Sequence, residues 1–148
     1  MTPEFNFMFE EELTNETMPS YTYKLDLVNK RIYGHIDELQ AIKQAIFKIL
    51  NTERYLNVIY SANYGVELER FIGKNIDFIK SDLQRTLEEA LKADDRINGI
   101  SDFEILEFCG DKLLVRYTVN TILGDINLKG GVKVEWKMNL KDIHMKIY

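Results

Sequence analysis

The chain has 148 residues, 45% of them hydrophobic and 29% charged, with 19 basic against 24 acidic side chains and a formal net charge of −5. The length suits one domain with arms, the hydrophobic share excludes a disordered chain, and the acidic balance argues against a nonspecific nucleic-acid binder. The single cysteine, Cys109, has no internal disulfide partner, no CxxC or Cys/His cluster offers a zinc site, and no apolar run approaches the roughly 20 residues of a membrane helix.

Residues 1–20 carry Glu4, Glu10, Glu11, Glu12 and Glu16 and no basic residue. An acidic start is the opposite of a secretory signal, so synthesis in the cytoplasm without signal-directed export is expected. Interleaved with the glutamates are Phe5, Phe7, Met8 and Phe9, an aromatic cluster that gains little from staying in water and is expected to dock on something. Residues 129–148 have the reverse sign, with five lysines against Glu135 and Asp142. Such ends either pair with each other or with neighbouring subunits, or are ordinary solvated termini. The division expected is an acidic aromatic arm (1–20), one α+β domain (21–128) and a basic, β-rich extension (129–148).

Within the domain, Tyr23–Leu27 alternates as a strand with one buried face, and after the polar break Asn29-Lys30 the run Arg31–Gly34 completes a short hairpin. Asp37 followed by Gln40 makes a capping-box-like start. Leu39, Ile42, Ile46, Ile49 and Leu50 then fall on one stripe of a helix ending near residue 51, with Lys43 and Lys48 off the stripe and facing water. Residues 52–73 read as a loop with short extended or helical pieces, closed by Gly73. A second helix is expected from Asn75 or Asp77, with Ile76, Ile79, Leu83, Leu87, Ala90 and Leu91 on one face and Asn98-Gly99 as its stop.

The last third changes period. Asp102–Cys109 alternates with one slip that predicts a bulge, and Gly110-Asp111 is a turn. Leu113, Val115, Tyr117, Val119 and Thr121 then form the clearest strand in the chain. Gly124-Asp125 turns into Ile126 and Leu128, and Gly130-Gly131 reads as a strand break before Val132, Val134 and Trp136. The expected fold class is α+β: two long helices packed on a C-terminal antiparallel meander, with a short N-terminal hairpin.

Reacting groups are scarce. His35 and His144 stand in no metal-spaced or nucleophile-adjacent motif, no GxxxxGK[ST] or GxGxxG is present, and no cofactor is implied. Among many carboxylates only Glu53 stands out, at a helix end among aromatics, where it either has a special role or pairs with Arg54 or another basic group. Tyr55, Tyr60 and Tyr64 either form a recognition surface or cover the domain's own core.

The run Ile49-Leu50-Asn51-Thr52-Glu53-Arg54-Tyr55, the following Ile59-Tyr60-Ser61-x-Asn63-Tyr64-Gly65-Val66-Glu67-Leu68, then Ile72-Gly73-Lys74 and Asp94-Asp95-Arg96-Ile97 resemble the baseplate wedge, or sheath-initiator, family of contractile phage tails. The nearest likeness is to its branch in prophages and phage-tail-like bacteriocins of Gram-positive bacteria, over about residues 5–128. The resemblance implies a noncatalytic baseplate protein present in six copies. It would dock on other wedge proteins and the tail tube, and template the first sheath ring by pairing strands with sheath subunits, without contacting nucleic acid or membrane. Many members carry Glu-Pro-Arg at the end of the first helix; the matching positions here are Glu53-Arg54, without the proline. With Tyr55, Tyr60, Tyr64, Phe7 and Phe9 they form the expected partner-binding set. Some members have also been described as acidic lysozymes, so a muramidase of the tail is the enzymatic alternative, requiring two carboxylates flanking a sugar cleft. A cytosolic protein-binding module is a further alternative.

Overall fold

The computed structural model describes residues 20–109, 112–133 and 146–147, with side chains for 20–108 and 112–130. The acidic arm with Phe7 and Phe9, and the apolar positions Val134 and Trp136, lie outside the described residues. The element order is β1 (Thr22–Asp26), β2 (Arg31–Ile36), α1 (Glu38–Leu50), a 3-10 turn (Glu69–Phe71), α2 (Ile76–Leu91), β3 (Ile97–Cys109), β4 (Lys112–Thr121), β5 (Gly124–Lys133) and β6 (Lys146–Ile147). The chain is thus mixed α+β, with two antiparallel sheets ordered β1-β2 and β3-β4-β5-β6.

The expected N-terminal hairpin is present, but without the fully buried face that its alternation suggested. No residue of β1 or β2 is fully buried, and Tyr23 and Ile32 are largely exposed. The register explains part of this. Tyr23 pairs with His35 but Leu25 with Ile32, so Lys24 stands opposite both Tyr33 and Gly34. The extra residue is accommodated at Gly34, whose φ of +65° suits a residue without Cβ. The hairpin is tied to α1 by one side chain: the Gln44 amide accepts from the Leu25 N–H (2.7 Å) and donates to the Tyr23 carbonyl (2.8 Å), as a neighbouring strand would.

Helix α1 starts where Asp37 accepts from its first free amide, that of Glu38, at 2.7 Å. The reciprocal partner is Ser20, whose hydroxyl donates to Asp37 and accepts from the same amide. These bonds hold the Asp37 carboxyl below its usual range. The other end is closed by side chains, with Asn51 Nδ2 donating to the Phe47 carbonyl (2.8 Å) and Thr52 Oγ1 to that of Lys48 (2.7 Å). In α2 the Asn75 side chain accepts from the Phe78 amide at 2.8 Å. The stripes are buried at Ile42, Ile46, Ile49 and Leu50 of α1 and at Ile79, Leu83, Leu87, Ala90 and Leu91 of α2, with Leu39 and Ile76 only partly buried; Ala41 and Thr86 are buried as well. Lys43 and Lys48 are exposed.

Helix α2 ends at Leu91, well before Asn98-Gly99, which lies inside β3. What stops it is a turn closed by Asp94, whose carboxylate accepts from the Arg96 backbone at 3.1 Å and from its guanidinium at 2.8 and 2.6 Å. That guanidinium holds the Asp94 carboxyl below its ordinary range. Strand β3 slips against β4 at three places where one was expected, between Ile97 and Gly99, Ser101 and Glu104, and Ile105 and Glu107, with Asp102 at φ +52° in the second. Strand β4 buries Leu113, Val115, Tyr117, Val119 and Thr121 in strict alternation. Gly130-Gly131 does not break β5: both are paired across to β4, and β6 adds its two residues at this point on the other side.

One buried cluster joins α1, α2, the loop residues Val66, Leu68 and Phe71, and Ile97, Leu113, Val115, Tyr117, Val119, Ile126 and Leu128 of the sheet. Each large apolar side chain removed from water in this way contributes on the order of 1.5–3 kcal/mol. Among the described residues no helix is long and apolar enough to cross a membrane.

Candidate functional site

The segment between α1 and the 3-10 turn is a loop pinned at its base and apolar at its tip. At the base, Glu53 and Val66 form an isolated parallel bridge. The Arg54 amide donates to the Val66 carbonyl at 3.2 Å, and the Val66 amide to that of Thr52 at 2.9 Å. The two charged side chains leave this bridge separately, because consecutive residues of an extended chain point to opposite sides.

Arg54 turns into the structure. Its side chain is only 8% exposed; Nε donates to the Gly65 carbonyl at 3.2 Å, and Nη1 lies 3.1 Å from Glu89 of α2 and 3.5 Å from Glu67. Glu53 accepts from the Leu68 amide at 3.2 Å through Oε2. Burial, reinforced by the carboxylates of Glu69 and Glu67, pushes its carboxyl up to about 7 despite the Leu68 amide. Among the described residues no basic side chain lies within ion-pair distance of Glu53, so the pair Glu53–Arg54 considered from sequence does not form. Arg54 is occupied internally rather than displayed.

The raised pKa has a consequence with a definite sign. A carboxyl whose folded pKa exceeds its unfolded value, here about 7 against 4.5, favours folding fully only below the unfolded value. That contribution disappears as pH rises through the folded value. Glu53→Gln is therefore expected to match the parent in stability near pH 4.5 and to exceed it by about 1 kcal/mol at pH 8, after allowance for partial solvent screening. Urea unfolding at the two pH values checks this; equal midpoints at pH 8 would contradict it.

Beyond the clasp the loop projects. Tyr55 (69% exposed), Leu56, Val58 (100%) and Ile59 (86%) stand in solvent, and Tyr60 is partly exposed. Tyr55 adopts φ +66°, an uncommon conformation for an aromatic residue that re-aims the chain at the loop's entrance. Tyr60 stacks on Tyr64 at 4.7 Å between ring centroids, and the turns are closed by Tyr60 N–H to Asn57 O (3.2 Å) and Tyr64 N–H to Ser61 O (3.0 Å). The tyrosines thus divide. Tyr64 packs against the core and its hydroxyl is pushed up by burial, whereas Tyr55 and Tyr60 sit outside. Val58 and Ile59 are exposed apolar residues not singled out from sequence. Their signal was an apolar pair in a stretch with neither helical nor strand period, hence with no core face to occupy.

Two clefts lie elsewhere on the domain, one of them reaching the loop at Tyr64. One, of about 540 Å³, lies beside Ser20, Tyr21, Lys48, Tyr64, Asp94 and Arg96. The other, of about 360 Å³, lies between Leu25, Leu27, Phe47, Ile126 and Leu128. Glu53, whose carboxyl has the raised pKa, lines neither of these two clefts. Among the described residues no group of three or more His, Cys, Asp or Glu is placed to hold a metal.

The geometry defines an α+β domain that fixes a projecting apolar loop by internal charges. Comparison with known proteins gives the class a family. Residues 8–124, well over half of the chain, match the family described as the contractile injection system sheath initiator. The chain is also 38% identical over 133 residues to the phage-like element PBSX protein XkdS of Bacillus subtilis (strain 168), covering 87% of this chain and 94% of that protein. The chain belongs to the sheath-initiator family, and its role is structural, in a contractile tail of the phage type.

Proposed function

We propose that this protein is the baseplate component that docks on neighbouring wedge and tube proteins through the loop Tyr55–Tyr60 and templates the first sheath ring by strand pairing. The observation that carries the docking half is the loop itself. Val58 and Ile59 are almost wholly exposed on a segment whose base is immobilised by Arg54, Glu53 and the Tyr60–Tyr64 stack. Apolar side chains held rigidly in water lose little further entropy on binding, which is the property of an interface anchor. Arg54 serves this reading as a positioning residue behind the loop, and Glu53 as part of its base.

The templating half is supported by the open borders of the larger sheet. Among the described residues, strand β3 is an outer strand and β5 is covered on its far side only at Gly130 and Gly131. Backbone groups along Gly124–Lys129 thus have no second strand neighbour among the described residues and suit β-augmentation. In this reading residues 21–133 form the folded wedge domain, to whose sheet 146–147 return, and 1–20 are an arm reaching other subunits. The protein is made in the bacterial cytoplasm and assembled in six copies per particle, with binding rather than catalysis as its mechanism.

The test is co-expression with the wedge proteins of the same tail. Val58→Asp together with Ile59→Asp is expected to reduce co-purification at least about tenfold, the loss of one or two interface anchors. The midpoint of thermal unfolding should move by less than about 2 °C, since surface changes of this kind leave the core alone. Undiminished co-purification would overturn the docking surface.

A further inference from the structure

The β1–β2 hairpin carries a second apolar surface, and it is unlike the loop in being charged. Tyr23, Leu27, Val28, Ile32 and Tyr33 are all about half exposed or more. Lys24 and Arg31 both stand over the Tyr33 ring, at 5.7 and 4.7 Å from its centroid, and Lys30 lies in the turn between them. The only acid on the hairpin, Asp26, is already engaged by Asn29 and the Val28 amide, and lies 3.8 Å from Arg31. Alternation puts Tyr23 and Ile32 on one face and Lys24, Arg31 and Tyr33 on the other, so the second face is basic around an exposed aromatic ring, on a two-stranded sheet whose β2 has no second strand neighbour among the described residues. An isolated hairpin is marginally stable by itself and gains from a third layer or strand.

The segment of this chain with the matching chemistry is residues 4–12, where Phe5, Phe7, Met8 and Phe9 alternate with or precede Glu4, Glu10, Glu11 and Glu12 and no cation occurs. It is also tethered at the right place. The chain outside the described residues joins at Ser20, which is held at the foot of the hairpin by its bonds to Asp37 and Glu38. Eight residues, from 12 to 20, span up to roughly 26 Å when extended, against roughly 17 Å for a strand of the hairpin's length. Tethering gives such a segment an effective concentration on the order of millimolar, far above that of a second molecule in dilute solution.

We propose that the acidic aromatic segment 4–12 of the unassembled protein docks on its own β1–β2 hairpin, Lys24 and Arg31 drawing its glutamates while Tyr33, and Val28 at the turn, take its phenylalanines. The inference is independent of what the loop Tyr55–Tyr60 binds.

The test uses the full chain with the photoreactive analogue p-benzoylphenylalanine in place of Phe7, irradiated as an equal mixture of light and heavy-isotope protein and mapped by mass spectrometry. Cross-links between position 7 and residues 21–33 within one molecule are expected. Lys24→Glu combined with Arg31→Glu should cut their yield about fivefold, the scale of a few exposed ion pairs turned repulsive. Cross-links elsewhere, cross-links joining light to heavy chains, an undiminished yield in the double variant, or no cross-link would each overturn the proposal. Amide exchange of Arg31–Ile36 gives a reading free of the label. Replacing Glu10, Glu11 and Glu12 by lysine should speed it several-fold, and unchanged exchange would equally overturn the proposal.

Discussion

Arg54→Glu is expected to destabilise the isolated protein by about 3 kcal/mol, because it reverses a nearly buried charge among acidic neighbours. In the parent, the guanidinium bridges the Gly65 carbonyl, Glu67 and Glu89, joining the loop to α2. The variant places a third carboxylate between Glu67 and Glu89 and leaves the Gly65 carbonyl without its side-chain donor. Glu89 is itself more than half exposed, which is why the figure lies at the lower end of the range for broken buried pairs. Arg54→Lys keeps the charge but not the fork, and is expected to fall between parent and glutamate variant. Chemical denaturation of the three proteins checks the order. If Arg54→Glu unfolded at the parental midpoint while losing its partners, Arg54 would be an interface residue and not a positioning one.

The role of Arg54 is a useful measure of how far the sequence can be read. Periodicity located both helices and β4 because their burial repeats locally: Ile42, Ile46 and Ile49 come back every turn, and Leu113 to Thr121 every second residue. The family was legible for a related reason, since Glu53-Arg54-Tyr55 and Asn63-Tyr64-Gly65-Val66-Glu67-Leu68 are the two sides of one clasp. What those residues do was not legible. Adjacency in sequence suggested that Glu53 and Arg54 act as a pair, whereas extended backbone sends them apart, one to the Leu68 amide and the other to Glu89, which is 35 positions away. The end of α2 was misplaced because Asn98-Gly99 is a strong local stop, while the operative one is the Asp94–Arg96 pair, which needs a fold to be seen. Likewise the pairing of Lys146 and Ile147 falls on Gly131 and Gly130, where β5 runs unbroken.

Gly65→Ala tests the same clasp from its backbone side and is expected to cost about 2–4 kcal/mol. Gly65 has φ +98°, a region an alanine enters only with strain. An added Cβ would also stand 2.6 Å from the Thr52 carbonyl oxygen and 3.2 Å from the Arg54 amide nitrogen. Neither atom yields readily. The Thr52 carbonyl accepts from the Val66 amide and the Arg54 amide donates to the Val66 carbonyl, so relief of the clash requires opening the bridge that closes the loop. The expected signature is therefore local as well as global: faster amide exchange at Arg54 and Val66, and reduced binding to wedge partners, although Val58 and Ile59 are untouched. On the proposed docking role the Tyr55–Tyr60 tip needs a rigid base, so weakened binding together with a loosened base is the joint result that proposal requires. Full partner binding by Gly65→Ala with those two amides exchanging freely would show that the loop needs no clasp.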